Sequence, residues 1–528
     1  MNYIELFSGC GGLSLGLKSV GFNLVMANEL SPMAAETYAY NFFSEDLASQ
    51  AKAGITATNK SLWLSSRFSS NDLSLRLRED PRSFPVLGKG HTDVASNGSN
   101  LSGSLVVGSI VELNKWLHKN SKAAKKLKEG FGAGGVDLVS GGPPCQSFSM
   151  AGLREKDSDK NLLPWEFAKL VKTVNPKFAL LENVTGILRP FTDDSGHSYF
   201  AWFELAKAFA KIGYIPLCLH VNAKLAGVPQ NRPRFILLGV RSDLFLGLSE
   251  TFNESESVLF EEPLAFFKKA KSGKNVDLDS LHYRDVSRPA DLTLFQSSFL
   301  HPLVARSNAY VTVHDAIDDL RDAPYGGGTF PKALAKVFSE TLPKRALKNH
   351  EHRSNNALVR RRFRLYQVLQ QVDKRTHKSV LRALREEQPS ISDDEWKQLS
   401  RFDYLVDTGK FVTFKSKADF LKFLSQHPTK KQTQKALIAS QPAPAALSIP
   451  DDACHYHHDE LRTLTVREMA RIQSFPDNFE FRSKITTGGQ MRAFEVPQYT
   501  QVGNAVPPLL GRALGLIVSD LLGRTETN

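Results

Sequence analysis

The stretch Asn2-Tyr3-Ile4-Glu5-Leu6-Phe7-Ser8-Gly9-Cys10-Gly11-Gly12-Leu13 decides the fold. Residues 3–7 read as a strand, 8–12 as a glycine-rich turn and 13–20 as a helix. Glycines let the backbone turn tightly and approach a ligand, and the helix start offers free N–H groups. Residues 23–29 then read as a second strand and 32–40 as a second helix. Alternating strand and helix signals are the signature of an α/β fold on a parallel sheet. Glu29 closes the second strand, where nucleotide-binding folds place a carboxylate for ribose hydroxyls. The glycine spacing is not G-x-G-x-x-G, so a dinucleotide is not favoured.

Beyond residue 43 the alternation stops. Residues from about 44 to about 105 are rich in Ser, Asn and Lys with broken periodicity, and read as an insertion. The core resumes with strand-sized apolar runs at 104–107, 136–140, 177–181, 215–222 and 234–241, as expected of strands buried on both faces. Residues 202–212 carry helical spacing between two of them. After Arg241 the sequence is irregular and basic up to about Pro450. Helical patterning then returns and closes with residues 509–522.

The chain has 528 residues, 41% hydrophobic and 23% charged, values of an ordinary globular protein of two domains or one heavily inserted domain. No apolar run approaches the length of a membrane span, and the first residues lack the pattern of a secretory signal. The four cysteines, Cys10, Cys145, Cys218 and Cys454, are scattered with no C-x-x-C pair, which argues against a disulfide scaffold or a cysteine-rich zinc site. No metal site is expected, and the location expected is cytoplasmic. Lys and Arg number 67 against 55 Asp and Glu, a net charge of +12. Residues 343–378 alone hold eleven basic and two acidic side chains, a concentration that points to nucleic acid.

Three further stretches carry chemistry. In Val136-Asp137-Leu138-Val139-Ser140-Gly141-Gly142-Pro143-Pro144-Cys145-Gln146-Ser147-Phe148-Ser149, a buried strand delivers a thiol into a loop stiffened by two prolines. That is a poor place for core packing and a good one for a nucleophile. Glu182, in Glu182-Asn183-Val184, ends the 177–181 strand and faces the ligand crevice at the carboxyl edge of the sheet. In Gln230-Asn231-Arg232-Pro233-Arg234, the two arginines of an extended segment point the same way, suited to holding phosphate or bracing a carboxylate.

In this order and wording the sequence resembles the cytosine-C5 DNA methyltransferases, of the bacterial modification methylase type. The blocks are Phe7 to Gly12, Glu29, Gly142-Pro143-Pro144-Cys145-Gln146, Glu182-Asn183-Val184, Gln230-x-Arg232-x-Arg234, the stretch 462–476, and Gln501-Val502-Gly503-Asn504-Ala505-Val506-Pro507-Pro508. The resemblance implies a Rossmann-like S-adenosylmethionine-dependent methyltransferase sheet with a second, smaller DNA target-recognition domain. It divides the chain into a catalytic and cofactor-binding domain at 1–242, a recognition domain at 243–459, and a part at 460–528 that returns to the first.

It also implies roles. Cys145 is the nucleophile, and Glu182 holds the cytosine, with Arg234 or Arg232 orienting it. Phe7, Ser8, Gly9, Cys10, Gly11, Gly12, Leu13, Glu29, Ser109, Ile110, Pro143, Asn504 and Ala505 surround S-adenosylmethionine. Gln146, Ser147 and Ser149 lie on a lid over the flipped base, which runs to about residue 161. Arg353, Asn355, Arg360, Arg361, Arg362 and Arg364, with Asn349, His350 and Asn356, are expected DNA contacts. The partner implied is double-stranded DNA bound by a monomer, with a restriction endonuclease as functional counterpart. The chain departs from the pattern in three places: Ser109 stands where an Asp is usual, Lys160 precedes Asn161 where Arg is common, and the insertion is long. A tRNA cytosine methyltransferase shares these blocks, but its Cys-Phe-Thr signature is absent. A catalytically silent DNA-binding relative is the other alternative.

Overall fold

The computed structural model describes residues 1–55, 58–144, 162–192, 198–321, 327–384, 390–426, 435–445 and 447–526. Its opening follows the pattern of the first residues: β1 (Asn2–Leu6), buried almost throughout, runs through the glycine turn into α1 (Gly12–Lys18). Next come β2 (Asn23–Glu29), α2 (Pro32–Phe43), β3 (Ser61–Trp63), β4 (Ser104–Val107), α3 (Ile110–Lys119) and β5 (Leu138–Gly141). The first half closes with α4 (Leu163–Val174), β6 (Phe178–Val184), α5 (Ala201–Lys211), β7 (Tyr214–Asn222), β8 (Pro233–Arg241), α6 (Glu254–Lys271) and β9 (Arg284–Asp285).

These strands form one nine-stranded sheet in the order β9-β7-β8-β6-β5-β1-β2-β4-β3. From β6 to β3 all neighbours are parallel, so their carboxyl ends share one edge. β8 is antiparallel to both β6 and β7, so the sheet is mixed rather than wholly parallel. The reason is the link between β7 and β8, residues 223–232, which is too short for a helical crossover.

The inserted segment joins the sheet. It adds β3 to the sheet edge, where Trp63 N–H donates to Asp93 at 2.9 Å and Arg76 pairs with Asp93 at 2.7 Å, 5.4 Å from the Trp63 ring. Residue 243 does not end the first core: Phe245 to Val304 pack into it, and β9 pairs with β7. Aromatic rings there need a sheet face to cover, and β7 supplies it.

A second core joins Val313, Phe330 and Phe338 to Leu464, Phe475 and Val502, and reaches back to Cys10 and Leu15. A third is built from α7 (Ala357–Leu369), α8 (Lys374–Ala383), α9 (Asp393–Leu399) and Phe420, Phe423 and Leu424. The chain then returns through α10 (Val466–Ile472), α11 (Gln498–Asn504) and α12 (Pro508–Glu526). α12 lies against α1 so closely that a Cβ on Gly16 would come within 2.4 Å of the Gly511 and Arg512 backbone. Glycine there is a packing requirement. Among the described residues no single helix is long and apolar enough to cross a membrane.

Candidate active site

Glu182 is not at the end of its strand but within β6, paired in register with Ile236 of β8. Arg234 lies two residues before Ile236, on the same face and diagonal to Glu182, within reach of a long side chain. Its Nε lies 2.6 Å from Glu182 Oε1. The contact is ionic, since that N–H does not point along a hydrogen bond. Both side chains are about nine-tenths buried. The other carboxylate oxygen, Oε2, sits only 2.9 Å from where a Cβ on Gly142 would be. Glycine at 142 is therefore what lets the carboxylate come up against the loop after β5.

That loop leads to Cys145 three residues on. Asn183 Nδ2 donates to the Pro143 carbonyl at 3.2 Å, tying the loop to β6. Cys145 itself, with Gln146, Ser147 and Ser149, lies outside the described residues, as does the rest of the expected lid.

The two arginines have different tasks. Arg232 is buried and donates through Nη2 to the carbonyls of Gly503 at 2.8 Å and Ala505 at 3.0 Å. Burial lowers its guanidinium pKa well below the ordinary value, with Arg234 adding to the shift. It ties the C-terminal block to the sheet, which corrects the expectation of a role at the base. Asn504, between those carbonyls, is exposed, while Ala505 is buried.

At the ends of β1 and β2, the Glu29 carboxylate accepts from Gly9 N–H and Ser31 N–H, each at 2.8 Å. Burial raises its pKa against these bonds. Phe7 has φ of 55°, a strained conformation for a side chain of its size that turns the chain out of the sheet. Gly9 faces open space, and the Ser8 hydroxyl is buried without a hydrogen-bond partner. The side chains of Cys10 and Leu13 point the other way: Cys10 is buried in the second core, its Sγ 3.7 Å from the Gln501 carbonyl, and Leu13 is buried in the first. Only their backbones remain for a ligand. Gly11 and Gly12 are packed against Phe42 and the Val506 carbonyl. Ile110 is likewise buried.

Ser109 starts α3 with no side-chain cap bond. It lines a cavity of about 220 Å³ together with Leu64, Ser65, Phe84 and Val86 of the inserted segment. The Ser65 hydroxyl is buried there without a partner.

The expected DNA contacts divide. Arg353 and Arg360 are exposed, and Arg361 and Arg362 are half-buried with unpartnered Nε atoms. Arg364 is buried, pairing with the Asp403 carboxylate and donating to its carbonyl at 3.1 Å. Asn355 sits 3.5 Å from the Thr463 N–H, and Asn356 caps α7. Asn349 donates to the Phe481 carbonyl at 2.9 Å, and His350 bridges Thr465 and the Leu320 carbonyl. Arg364, Asn349 and His350 are therefore scaffold, because their polar atoms already have protein partners, whereas exposed Asn356 commits only its Oδ1 to the cap.

The block 462–476 is also scaffold. Thr465 and Glu468 form a capping box at the start of α10, and Arg462 grips Glu468 through two bonds of 2.8 and 2.7 Å. Burial would raise the Glu468 carboxyl, but this pairing holds it at about 2. Gln501, which opens the last block and is given no task by the sequence, accepts from Thr37 at 2.6 Å and donates to the Met33 carbonyl at 3.1 Å, fastening α11 to α2.

The chain is 26% identical over 526 residues to Type II methyltransferase M.DdeI of Desulfomicrobium norvegicum, an overlap of 98% of this chain and 88% of the relative. It is 27% identical over 549 residues to Type II methyltransferase M.Bpa9945I of Bacillus paralicheniformis, covering 99% of each. Among solved structures, a proposed DNA modification methyltransferase encoded within an E. coli prophage aligns over 99% of both chains, with a TM-score of 0.45 and 19% identity. Residues 1–61 and 112–518 match the family model of the C-5 cytosine-specific DNA methylases, and the unmatched interval falls on the inserted segment. The chain belongs to the C-5 cytosine-specific DNA methylase family and is an S-adenosylmethionine-dependent DNA cytosine methyltransferase.

Proposed function

We propose that this enzyme methylates C5 of a flipped-out cytosine in a specific duplex sequence through a covalent bond from Cys145 to C6. The observation that supports this most is the position of Glu182, braced by Arg234 with its second oxygen against Gly142, three residues before Cys145. Cytosine C5 is a poor nucleophile in the intact ring. As the Cys145 thiolate bonds to C6, the C5–C6 π pair moves to C5 and Glu182 gives a proton to N3. Bound S-adenosylmethionine supplies an electrophilic methyl, whose bonding pair stays on sulfur as C5 takes it. The C5 proton then leaves to water, the C6–S bond breaks to restore the thiolate, and N3 returns its proton to Glu182. Arg234 keeps the Glu182 carboxylate oriented toward the ring edge. The base must leave the stack to reach these groups, at about a few kcal/mol.

The residues present fit the cofactor. The open space at Gly9 and the unpartnered Ser8 hydroxyl form a cradle at the β1 end, and Glu29 stands beside it for the ribose. Ser109 and its cavity wall would take the adenine side, with Pro143, Asn504 and Ala505 closing the pocket. Residues 1–242, with the stretch to Val304 that packs on them and with 460–528, carry catalysis, and the rest of the interval 243–459 contains the recognition region, centred on the third core. We propose further that the enzyme works as a monomer in the cytoplasm, and the naming of its relatives as Type II methyltransferases supports a role in protecting DNA from a partner endonuclease.

The test is bisulfite sequencing of an unmethylated plasmid from cells expressing the chain, beside a Cys145→Ala control. Protected cytosines within one short repeated sequence, lost in the control, are expected. Soluble, cofactor-binding protein that protects none would turn the reading to tRNA or to a silent DNA binder.

A further inference from the structure

We infer that the basic face of α8 grips the phosphate backbone of the duplex, an inference that rests on the duplex-DNA reading above. Lys374, Arg375, Lys378 and Arg382 fall within one side of a helix whose period is 3.6 residues, and all four are exposed. The opposite side, Val380, Ala383 and Leu384, is buried in the third core. No acidic residue lies within α8. The four side chains and Ser379 border a hollow of about 600 Å³ beside the helix.

Among the described residues the carboxylates beside this face are already engaged: Asp373 accepts from the Thr376 N–H at 2.8 Å and from Gln398 at 2.6 Å. Glu395 lies 3.9 Å from Arg375, but it accepts from Ser379 at 2.7 Å and from the Ser392 N–H at 2.8 Å at the start of α9. The face thus keeps its positive charge outward.

Span and charge density select the partner. From 374 to 382 the helix rises about 12 Å. The same length of duplex presents about seven phosphate charges, at about one per 1.7 Å. A lipid surface is disfavoured, because the apolar side of α8 is committed to the core and cannot enter a bilayer interface. Lysine and arginine on a helix surface make phosphate contacts, which position the protein rather than read sequence. The expected arginines of α7 are partly withdrawn into structure, Arg364 above all, and α8 takes over the electrostatic task.

The experiment measures binding of the full chain, with S-adenosylhomocysteine present, to a fluorescent duplex between 50 and 200 mM salt. The variant is Lys374→Gln/Arg375→Gln/Lys378→Gln. A second variant, Lys374→Arg/Lys378→Arg, preserves the charge, and cofactor affinity and the circular dichroism spectrum of each verify folding. The expected result is a log–log salt slope smaller by about 2 to 3, at about 0.9 per lost phosphate contact, and affinity lower by about tenfold or more at the lowest salt. The charge-preserving variant should match wild type. A wild-type chain that binds duplex while the neutral variant keeps its slope overturns the assignment to α8 alone. A wild-type chain that binds cofactor and no duplex overturns the duplex reading and this inference with it.

Discussion

Glu182 and Glu468 are both buried carboxylates that face an arginine, and they do opposite work. Glu468 is closed: Arg462 takes both oxygens, and the Thr465 N–H adds a third bond at 2.8 Å. Glu182 is open: Arg234 touches one oxygen, and the other lies against a glycine at the mouth of the Cys145 loop. Among the described residues no hydrogen bond reaches the Glu182 carboxylate. A saturated pair fixes geometry, whereas an unsaturated one keeps bonding capacity for a reacting ring. The number of bonds left unmade separates the pair proposed to be catalytic from the structural one, although burial and partner type are alike.

The largest expected effect tests that contrast directly. Glu182→Gln should lower single-turnover methyl transfer by about 10²- to 10⁴-fold, with cofactor affinity unchanged and thermal stability intact. Glu468→Gln should do the reverse. Breaking a buried pair while leaving Arg462 in place costs about 3 to 5 kcal/mol, read from the urea midpoint, and the folded fraction should keep its turnover. Equal loss of turnover in both variants would break the comparison.

The same pair sharpens it through pH. Glu468 sits at about 2 in the fold, well below its ordinary value, so its contribution is fully present above about 4.5 and is lost as pH falls toward 2. His455, beside it, is lowered by burial to about 4, so it remains neutral in the fold while the unfolded chain takes up a proton. Stability should therefore fall as pH drops from about 6.5, with a flatter profile in Glu468→Gln below pH 4.5.

A smaller effect separates Arg364 from its exposed neighbours. Arg364→Ala should lower stability by about 1 to 3 kcal/mol and leave the salt slope of DNA binding unchanged. Arg353→Ala should leave stability within about 0.5 kcal/mol. A change of slope in Arg364→Ala would return that residue to the interface.

The smallest concerns Glu5, buried beneath the first glycine turn and bonded to Ser14, whose hydroxyl meets Tyr3 at 3.0 Å and Tyr38 at 2.8 Å. Burial pushes its carboxyl up to about 8. The fold keeps this proton where the unfolded chain has lost it, so stability declines as pH rises from about 4.5 to 8. Glu5→Gln should remove that decline and raise Tm at pH 8 by about 2 to 4 °C. An unchanged slope between pH 6 and 8 would place the proton elsewhere.

The legible parts of the molecule were those with short-range causes. The strand–turn–helix opening, the glycine turn and the apolar strand runs follow from local pattern, and the observed strands keep to them within a few residues. The helix Leu163–Val174 was missed because it follows a stretch without clear periodicity, and β3 because it is three residues long inside polar sequence. Arg364 and Asn349 looked like DNA contacts because charge and polarity are visible in a sequence, but the groups that satisfy them come from distant residues.

The sequence by itself determined the family, the chemistry-bearing residue types and their order, since each block is a short run whose meaning is carried by adjacent side chains. Only the tertiary structure decided which of those side chains remain available. It set Arg234 on Glu182 and Arg232 on the Gly503 and Ala505 carbonyls. It turned the Cys10 side chain into a core, carried the sheet into an antiparallel edge, and set the basic face of α8 on the surface. The physical reason is that a polar group is functional when its bonds are unmade, and whether they are made depends on residues hundreds of positions away.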